Sequence, residues 1–178
     1  THEPKIFRHQ INLPLDLLNA VKALPVKVMC MEIDCFPMMS RIGKNGERNV
    51  CPRQLMMVDR ATCFVFQPDI ICPEEGKTWS FAMAVPSILR QFVKLGFRPA
   101  TAAFAREITE GWGGELCGLL GIRLDRSPCD ALRDCRADME RELDWERKAV
   151  GPERMNLWLE RFGARPFDFN SGLDDGAL

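Results

Sequence analysis

Apolar positions change their spacing at Pro25, which separates a predicted helix from a predicted strand. Before it, Leu13–Leu24 has its apolar residues at helical spacing, with Pro14 near the start, where proline is tolerated. After it, Val26–Asp34 is mostly apolar on both sides, which predicts an interior strand. Strict alternation would place five residues on one side of this strand: Val26, Val28, Cys30, Glu32 and Asp34.

Two further apolar runs predict a β-hairpin. Gln54–Asp59 and Cys63–Ile71 are separated by only three residues, which is a typical hairpin connection. Pro68 places the second strand at an edge of the sheet or bends it there, because proline cannot donate to a strand ladder. The segment 36–53, with turn residues around Gly43–Gly46, is either a loop or two short strand pieces flanking a turn.

Helices and strands alternate in the second half of the chain. Each helix is bounded by a glycine, a proline or a polar cap residue. The predicted elements are a helix from about Met83 to Leu95 before Gly96, a strand Thr101–Arg106, a glycine-rich turn TEGWGGE, a helix Glu115–Leu120 before Gly121, a strand Ile122–Asp125, a helix from Pro128 to about Lys148 with Ser127 as N-cap, and a last helix Pro152–Phe162.

This order predicts a mixed α/β fold that begins with three antiparallel strands and continues with alternating helices and strands. It matches the ribonuclease-H-like mixed sheet, with extra N- and C-terminal helices, and it also suits other mixed-sheet folds. We expect residues 1–163 to form one α/β domain with its core at about 26–148. Residues 164–178 are polar and Gly/Asp-rich, which predicts a tail or linker.

Composition and charge narrow the class of protein. The 178 residues include 24 basic and 25 acidic side chains that are interspersed, and the net charge of −1 argues against a nucleic-acid partner. No apolar stretch approaches the length of a membrane span, so we expect no membrane partner. Residues 1–10 are polar and basic, unlike the apolar core of a secretion signal, which favours a cytoplasmic protein.

The eight cysteines favour buried thiols over a metal site or a disulfide framework. They include no CxxC pair, and the only histidines, His2 and His9, lie near the start of the chain. Most of the cysteines lie in apolar segments, where cysteine packs as a small hydrophobic residue. Without a tyrosine or a central histidine, the chain also lacks the residues of a Ser-His-Asp or Cys-His system.

The topology suggests one catalytic hypothesis. Ribonuclease-H-like nucleases and transposases hold two metal ions, Mg²⁺ or Mn²⁺, with carboxylates on the first strand, near the fourth strand and on the last helix. The matching positions are Asp34, Glu107 and Asp138, with Glu142 as an alternative on the helix. The predicted helix from Met83 to Leu95 has no acid, although ribonuclease H places one there. The favoured interpretation is that these acids cap helices, pair with arginines or face solvent.

Two other features have a structural and a functional interpretation. The glycine-rich segment 109–118 could present backbone N–H groups to an anion, but it matches no phosphate-binding loop, and a tight turn beside Trp112 is favoured. The apolar stripe of the long helix could form a partner-binding groove with Trp145 and Trp158, whereas packing against the core is the commoner role. The stripe consists of Leu132, Cys135, Met139 and Leu143.

Three segments carry a resemblance to a known family. The segments QLMMVDRATCFVF, KLGFRPATAAFARE and LCGLLGIRLDRSPCDALRD resemble a family of uncharacterised bacterial domains, over roughly residues 26–145. Members are often found beside small zinc-binding SEC-C motifs or in plasmid-borne proteins. The resemblance implies no catalytic residue, since the family has no established activity. The SEC-C cysteines and histidine do not occur in this chain.

The sequence therefore favours a non-catalytic interaction or accessory domain of a bacterial cytosolic protein, with a protein partner and with no cofactor or metal. The alternative function is that of a divergent, ribonuclease-H-like metal-dependent nuclease or transposase-related domain that uses Asp34, Glu107 and Asp138 with Mg²⁺ or Mn²⁺.

Overall fold

A five-stranded mixed sheet organises the chain, in a computed structural model that describes residues 13–38, 52–73, 79–142 and 144. A 3-10 turn at Phe81–Met83 precedes the second helix. The elements of the described residues are α1 (Leu15–Ala23), β1 (Val26–Pro37), β2 (Arg53–Asp59), β3 (Asp69–Ile71), α2 (Val85–Leu95), β4 (Arg98–Phe104), α3 (Glu107–Leu120), β5 (Arg123–Asp125) and α4 (130–142).

The strand order is β3-β2-β1-β4-β5, which places β1 at the centre of the sheet. β1 is antiparallel to β2 and parallel to β4; β3 is antiparallel to β2, and β5 is parallel to β4. The predicted mixed α/β fold is confirmed, including its three antiparallel strands at the start. The central position explains why β1 is apolar on both sides, because helices cover both of its faces.

Two apolar clusters hold the layers together. On one face of the sheet, α1, α2 and α3 pack on a large cluster that includes Val21, Met31 and Phe92. On the opposite face, α4 packs through Leu132 on a smaller cluster that includes Phe36. Cys135 and Met139 pack against this smaller cluster, so the stripe on the last described helix faces the core.

β1 departs from the predicted alternation near its start. The pairing with β4 shifts between Lys27 and Cys30, where β1 has one residue more than its partner. Residues 25–28 are exposed, whereas residues 31–36 are buried. The strand also continues past Asp34 to Pro37, because its last residues still pair with β2. Asp34 therefore lies inside the strand and not at its end.

The second half of the predicted hairpin is not one strand. Cys63–Ile71 contains a single bridge, Val58 to Val65, and the short strand β3 begins only after Pro68. Proline has no N–H for the ladder, and it interrupts the pairing at that position.

The predicted glycine-rich turn is instead the first half of α3. The helix begins at Glu107 and runs through Gly111, Gly113 and Gly114 to Leu120. A Cβ at Gly113 would overlap the ring of Phe104 on β4, so this glycine lets the helix approach the sheet closely. The glycines that end α2 and α3 have the predicted left-handed conformation, with φ of 74° at Gly96 and 65° at Gly121.

The N-cap predicted for the long helix from Pro128 is also wrong. Ser127 does not cap a helix that starts at Pro128; its N–H and Oγ donate to Asp125 Oδ1 at 2.7 and 2.5 Å. The helix begins at residue 130, and its first backbone bond runs from Arg133 N–H to Cys129 O at 3.1 Å. The cap of this helix comes from another part of the chain, as described below.

Several predictions fall outside the described residues: most of segment 36–53, the end of the long helix, the last helix 152–162 and the tail 164–178. Among the described helices, none combines the length and the apolar character that crossing a membrane requires.

The close approach of α3 to β4 gives a direct test of the fold. We expect Gly113→Ala to lower the free energy of unfolding by about 1–3 kcal/mol, because the added methyl displaces the Phe104 ring. Gly118→Ala is the matched control: no atom lies within 4 Å of its Cβ position, and it should raise the stability by about 0.5–1 kcal/mol. Urea denaturation measures both; equal effects would contradict the close approach.

Candidate functional site

Two buried carboxylates lie side by side in the middle of β1. Glu32 is 1% exposed and Asp34 is 2% exposed, and residues two apart on a strand share a face. Both lie on the α4 side of the sheet, among residues of the smaller cluster such as Phe36. Buried acids need charged or hydrogen-bonding partners, because an isolated carboxylate in an apolar environment is strongly unfavourable.

Glu32 joins three parts of the chain. Its Oε1 accepts a bond from Arg60 Nε at 2.7 Å, just after β2. Its Oε2 accepts a bond at 2.7 Å from the backbone N–H of Leu132, which is 100 positions away in the sequence. This N–H belongs to the first turn of α4, where backbone donors have no partner within the helix. Glu32 therefore caps α4 from the sheet, at the end of the helix that favours negative charge.

Arg60 carries the network onward to β5. Its Nη1 donates to Asp125 Oδ2 at 2.8 Å, so one guanidinium bridges two acids. Burial alone would lower the pKa of Arg60, but its hydrogen bonds to Glu32 and Asp125 raise that pKa above its ordinary value. The hydrogen bonds from Ser127, together with Arg60, lower the pKa of Asp125 to about 2. Both groups are charged at neutral pH.

Asp34 has a second set of partners. Its Oδ1 accepts bonds from the Cys35 backbone N–H at 2.8 Å and from Arg106 Nε and Nη2 at 3.1 and 2.7 Å. The Nη2 of Arg106 also donates to the carbonyl oxygen of Cys35. On the other side, Arg136 Nη1 of α4 lies 4.0 Å from Asp34 Oδ2. Two guanidinium groups thus compensate this carboxylate.

Arg136 is itself held in place by three contacts. Its guanidinium carbon lies 3.9 Å from the centroid of the Phe36 ring, and its Nε pairs with Glu140 at 2.9 Å. With Asp34 as the third partner, Arg136 links α4 to β1 beyond the Glu32 cap. The helix is therefore attached to the central strand by charge at two positions.

The structure describes the side chains of two of the three predicted catalytic acids, Asp34 and Asp138, and their surroundings differ. Asp34 is buried and paired with arginines, whereas Asp138 is largely exposed on α4 and pairs with Arg141. Glu107 is the first residue of α3, and Glu142 is exposed. Within the described residues, no three His, Cys, Asp or Glu side chains are placed to hold a metal ion.

Sequence reasoning selected Asp34 but missed Glu32 and the arginines. A usable signal exists for two of the three partner arginines, because each follows closely on the end of a strand. Arg60 comes directly after β2, and Arg106 comes two residues after β4. β2 and β4 flank β1 in the sheet, so an arginine that follows either strand can reach acids on β1. Acids within an otherwise apolar strand, with arginines after its neighbours, indicate such a network.

The described cysteines are buried, partly buried or exposed, and Cys30 and Cys135 form the partly buried group. Cys35, Cys117 and Cys129 are buried as predicted, and burial raises their pKa values to about 12, 11 and 12. These thiols are inert at neutral pH. Cys63 and Cys72 are exposed, contrary to the expectation that apolar segments would bury them.

Two of the candidate acids test whether the network has a structural role. We expect Asp34→Asn to lower the free energy of unfolding by about 2–4 kcal/mol, because it removes the buried carboxylate charge that Arg106 and Arg136 compensate. Asp138→Asn is the control at an exposed pair, with an expected effect below about 0.5 kcal/mol. Chemical denaturation measures both, and a neutral Asp34→Asn would show that the arginines do not need this carboxylate.

Comparison with known proteins adds a family without a described activity. A search of curated proteins finds no match. The family model described as "Domain of unknown function (DUF6930)" matches residues 17–140, which include β1, the arginines of the network and nearly all of the described α4. The predicted membership of an uncharacterised family is confirmed: this chain belongs to the family of domains of unknown function DUF6930.

Proposed function

We propose that this chain is a non-catalytic interaction domain that binds a protein partner through apolar side chains at the end of the sheet where β1 begins. The observation that carries the proposal is the exposure of Val28, which is 95% exposed although it lies within the central strand. A valine side chain that is so exposed contributes nothing to the core of the isolated domain. A partner that covered it would gain the free energy of burying its apolar surface.

Other apolar side chains lie at the same end of the sheet. β2 is antiparallel to β1, so the turn after β2 lies beside the start of β1; Arg60 N–H donates to Cys30 O at 3.0 Å. This turn presents Phe64, which is 60% exposed, and Val26 on β1 is 50% exposed. We call Val26, Val28 and Phe64 the apolar end of the domain.

Phe64 is supported by a row of aromatic rings. Its ring meets Phe66 edge to face at 5.1 Å between centroids, and Phe66 meets Phe97 at 6.4 Å. The ammonium group of Lys27 lies 4.7 Å from the centroid of the Phe97 ring. These contacts hold an exposed aromatic group in one position before binding, which is typical of the residues that dominate protein interfaces.

The start of β1 is built for side-chain contact and not for pairing with another strand. Among the described residues, Val26–Lys27 pairs with β4 alone. Pro25, the charge of Lys27 and the one-residue bulge all hinder an added strand on the free side. We therefore expect the partner to present apolar side chains to this end. The domain would then belong to a bacterial cytosolic protein, where lasting disulfides are rare.

One observation favours the alternative function. The strand order and directions are those expected of a ribonuclease-H-like sheet, and Asp34 lies on the central strand. Against it, the positive charges near Asp34 come from Arg106 and Arg136, which occupy its oxygens. A metal ion would have to displace a guanidinium group.

Site-specific photocrosslinking tests the interaction proposal. A benzophenone amino acid at position 28 of the full chain, irradiated in cells, should form an adduct with one protein partner. The same group at position 15 is the control, since Leu15 is an apolar residue of α1 that is 68% exposed away from the apolar end. Once the partner is identified and purified, calorimetry should show about tenfold weaker binding, or more, for Val28→Asp and Phe64→Ala.

The stability of Val28→Asp and Phe64→Ala shows whether weaker binding comes from the lost contact or from unfolding. Both variants should keep the thermal midpoint of the parent chain within about 2 °C, because both side chains are exposed. Equal adducts at positions 15 and 28, an adduct only with a second copy of the chain, or undiminished binding by both variants would each overturn the proposal.

A metal titration tests the alternative. Ligands that bind only the folded state raise its thermal midpoint by mass action, so Mg²⁺ or Mn²⁺ held at Asp34 would stabilise the parent chain and not Asp34→Asn. The interaction proposal predicts equal responses of the two proteins at millimolar metal. A midpoint that rises with Mn²⁺ only when Asp34 is present would instead support the metal-dependent enzyme.

A further inference from the structure

Two thiols from distant parts of the chain meet on the surface beside α4. Cys63 lies in the turn after β2, and Cys135 lies on α4, 72 positions later. The Sγ of Cys135 donates to the carbonyl oxygen of Cys63 at 3.6 Å. Burial comes first among the causes that raise the pKa of Cys135, and the charge and hydrogen bonding of the Cys63 thiol also raise it. The two side chains are therefore neighbours.

The turn holds Cys63 in a fixed and unusual conformation. Its φ is 56°, the left-handed region that residues other than glycine, asparagine and aspartate seldom adopt. Its N–H donates to the carbonyl oxygen of Asp59 at 2.9 Å, and the Asp59 carboxylate accepts bonds from Ala61 N–H and Thr62 Oγ1. These bonds keep the exposed thiol next to α4, although glycine would fit this backbone with less strain.

We propose that Cys63 and Cys135 are a redox-active thiol pair that hydroperoxides convert to a reversible intramolecular disulfide. Cys63 is exposed and meets the peroxide first, and Cys135 is partly buried and close enough to react second. Cys63 directly precedes Phe64 of the apolar end, but the thiol pair is inferred from different contacts and does not rest on the proposed interaction with a protein partner.

The reaction balances with one peroxide and two thiols. The Cys63 thiolate attacks an oxygen of hydrogen peroxide, the O–O bond breaks, and the leaving hydroxide takes a proton to become water. The sulfur of Cys63 is then a sulfenic acid. The Cys135 thiolate attacks that sulfur, an S–S bond forms, and the S–O bond breaks to release hydroxide, which takes up the proton from Cys135. The two cysteines lose two electrons, and the peroxide becomes two molecules of water.

The remaining described cysteines explain why this pair would react selectively. Cys35, Cys117 and Cys129 are buried, and Cys30 is partly buried with a pKa that burial raises, so none of these four presents an exposed thiol to a peroxide as Cys63 does. Cys72 is exposed, but within the described residues no second thiol is recorded beside it. Among the described cysteines, an oxidised Cys63 has a neighbouring thiol, Cys135, that can resolve it.

The experiment treats the full, reduced chain with a small molar excess of hydrogen peroxide, and maps disulfides by mass spectrometry of unreduced peptides. We expect one crosslink between the peptides that contain Cys63 and Cys135, reversible by dithiothreitol. The oxidised chain should melt about 5–10 °C higher than the reduced chain, because the bond closes a long loop in the unfolded state. Cys72→Ser is the matched control and should leave the crosslink and the shift unchanged.

Cys63→Ser and Cys135→Ser should each abolish the crosslink and the thermal shift while leaving the reduced chain folded. In Cys135→Ser, Cys63 should stay trapped as a sulfenic acid that a dimedone probe labels. Oxidation of Cys63 to sulfinic acid without a crosslink in the parent chain would overturn the proposal. A dimer linked through Cys63, or a crosslink between any other two cysteines, would overturn it as well. None of these results bears on crosslinking at position 28.

Discussion

The carboxylate of Glu32 lies below the first turn of α4 and within reach of Arg60. It joins β1 to α4 and to the turn after β2, and the placement of these three parts depends on it. It accepts one backbone N–H of the helix and one guanidinium N–H, so both of its oxygens have partners. Without it, α4 would begin with uncapped donors facing the sheet, and Arg60 would keep only Asp125. Asp34 repeats the arrangement one step further along β1, with arginines from α4 and from the turn after β4.

Buried ion pairs add little net stability, because removing charges from water offsets most of their attraction. Their value in this domain is specificity. A slip of β1 by one residue would turn Glu32 and Asp34 into the larger apolar cluster, where no arginine of the network could reach them. An apolar central strand has no such safeguard, since both of its faces accept similar side chains. The two acids therefore fix the register of the strand on which the whole sheet is built.

Sequence patterns predicted the elements that depend on local chemistry. The glycine caps of α2 and α3, the helical stripe of α4 and the order of the elements along the chain follow from periodicity and backbone preferences. The failures have tertiary causes. Sequence alone assigns Gly113 to a turn, whereas the glycine is required because a side chain there would overlap the Phe104 ring. Sequence alone also assigns Ser127 as the helix cap, whereas Glu32 caps the helix from the sheet. Asp34 could be found as an acid on a central strand, and Arg106 could be found from its position after a neighbouring strand. Arg136 could not, since a contact across 102 positions leaves no local pattern.

The long span between Glu32 and Leu132 has a consequence for how the chain assembles during synthesis. β1, β2 and Arg60 all leave the ribosome before α4, so the counter-charge of Glu32 is present in the growing chain while α4 is still unmade. The other carboxylate oxygen of Glu32 gains its partner, the Leu132 N–H, only when a segment 100 positions later has been made. Folding therefore has a late step with high contact order, and the growing chain keeps the α4 side of its sheet open until that step. Until that step, apolar side chains such as Phe36 on this face are open to chaperones that shield apolar surfaces.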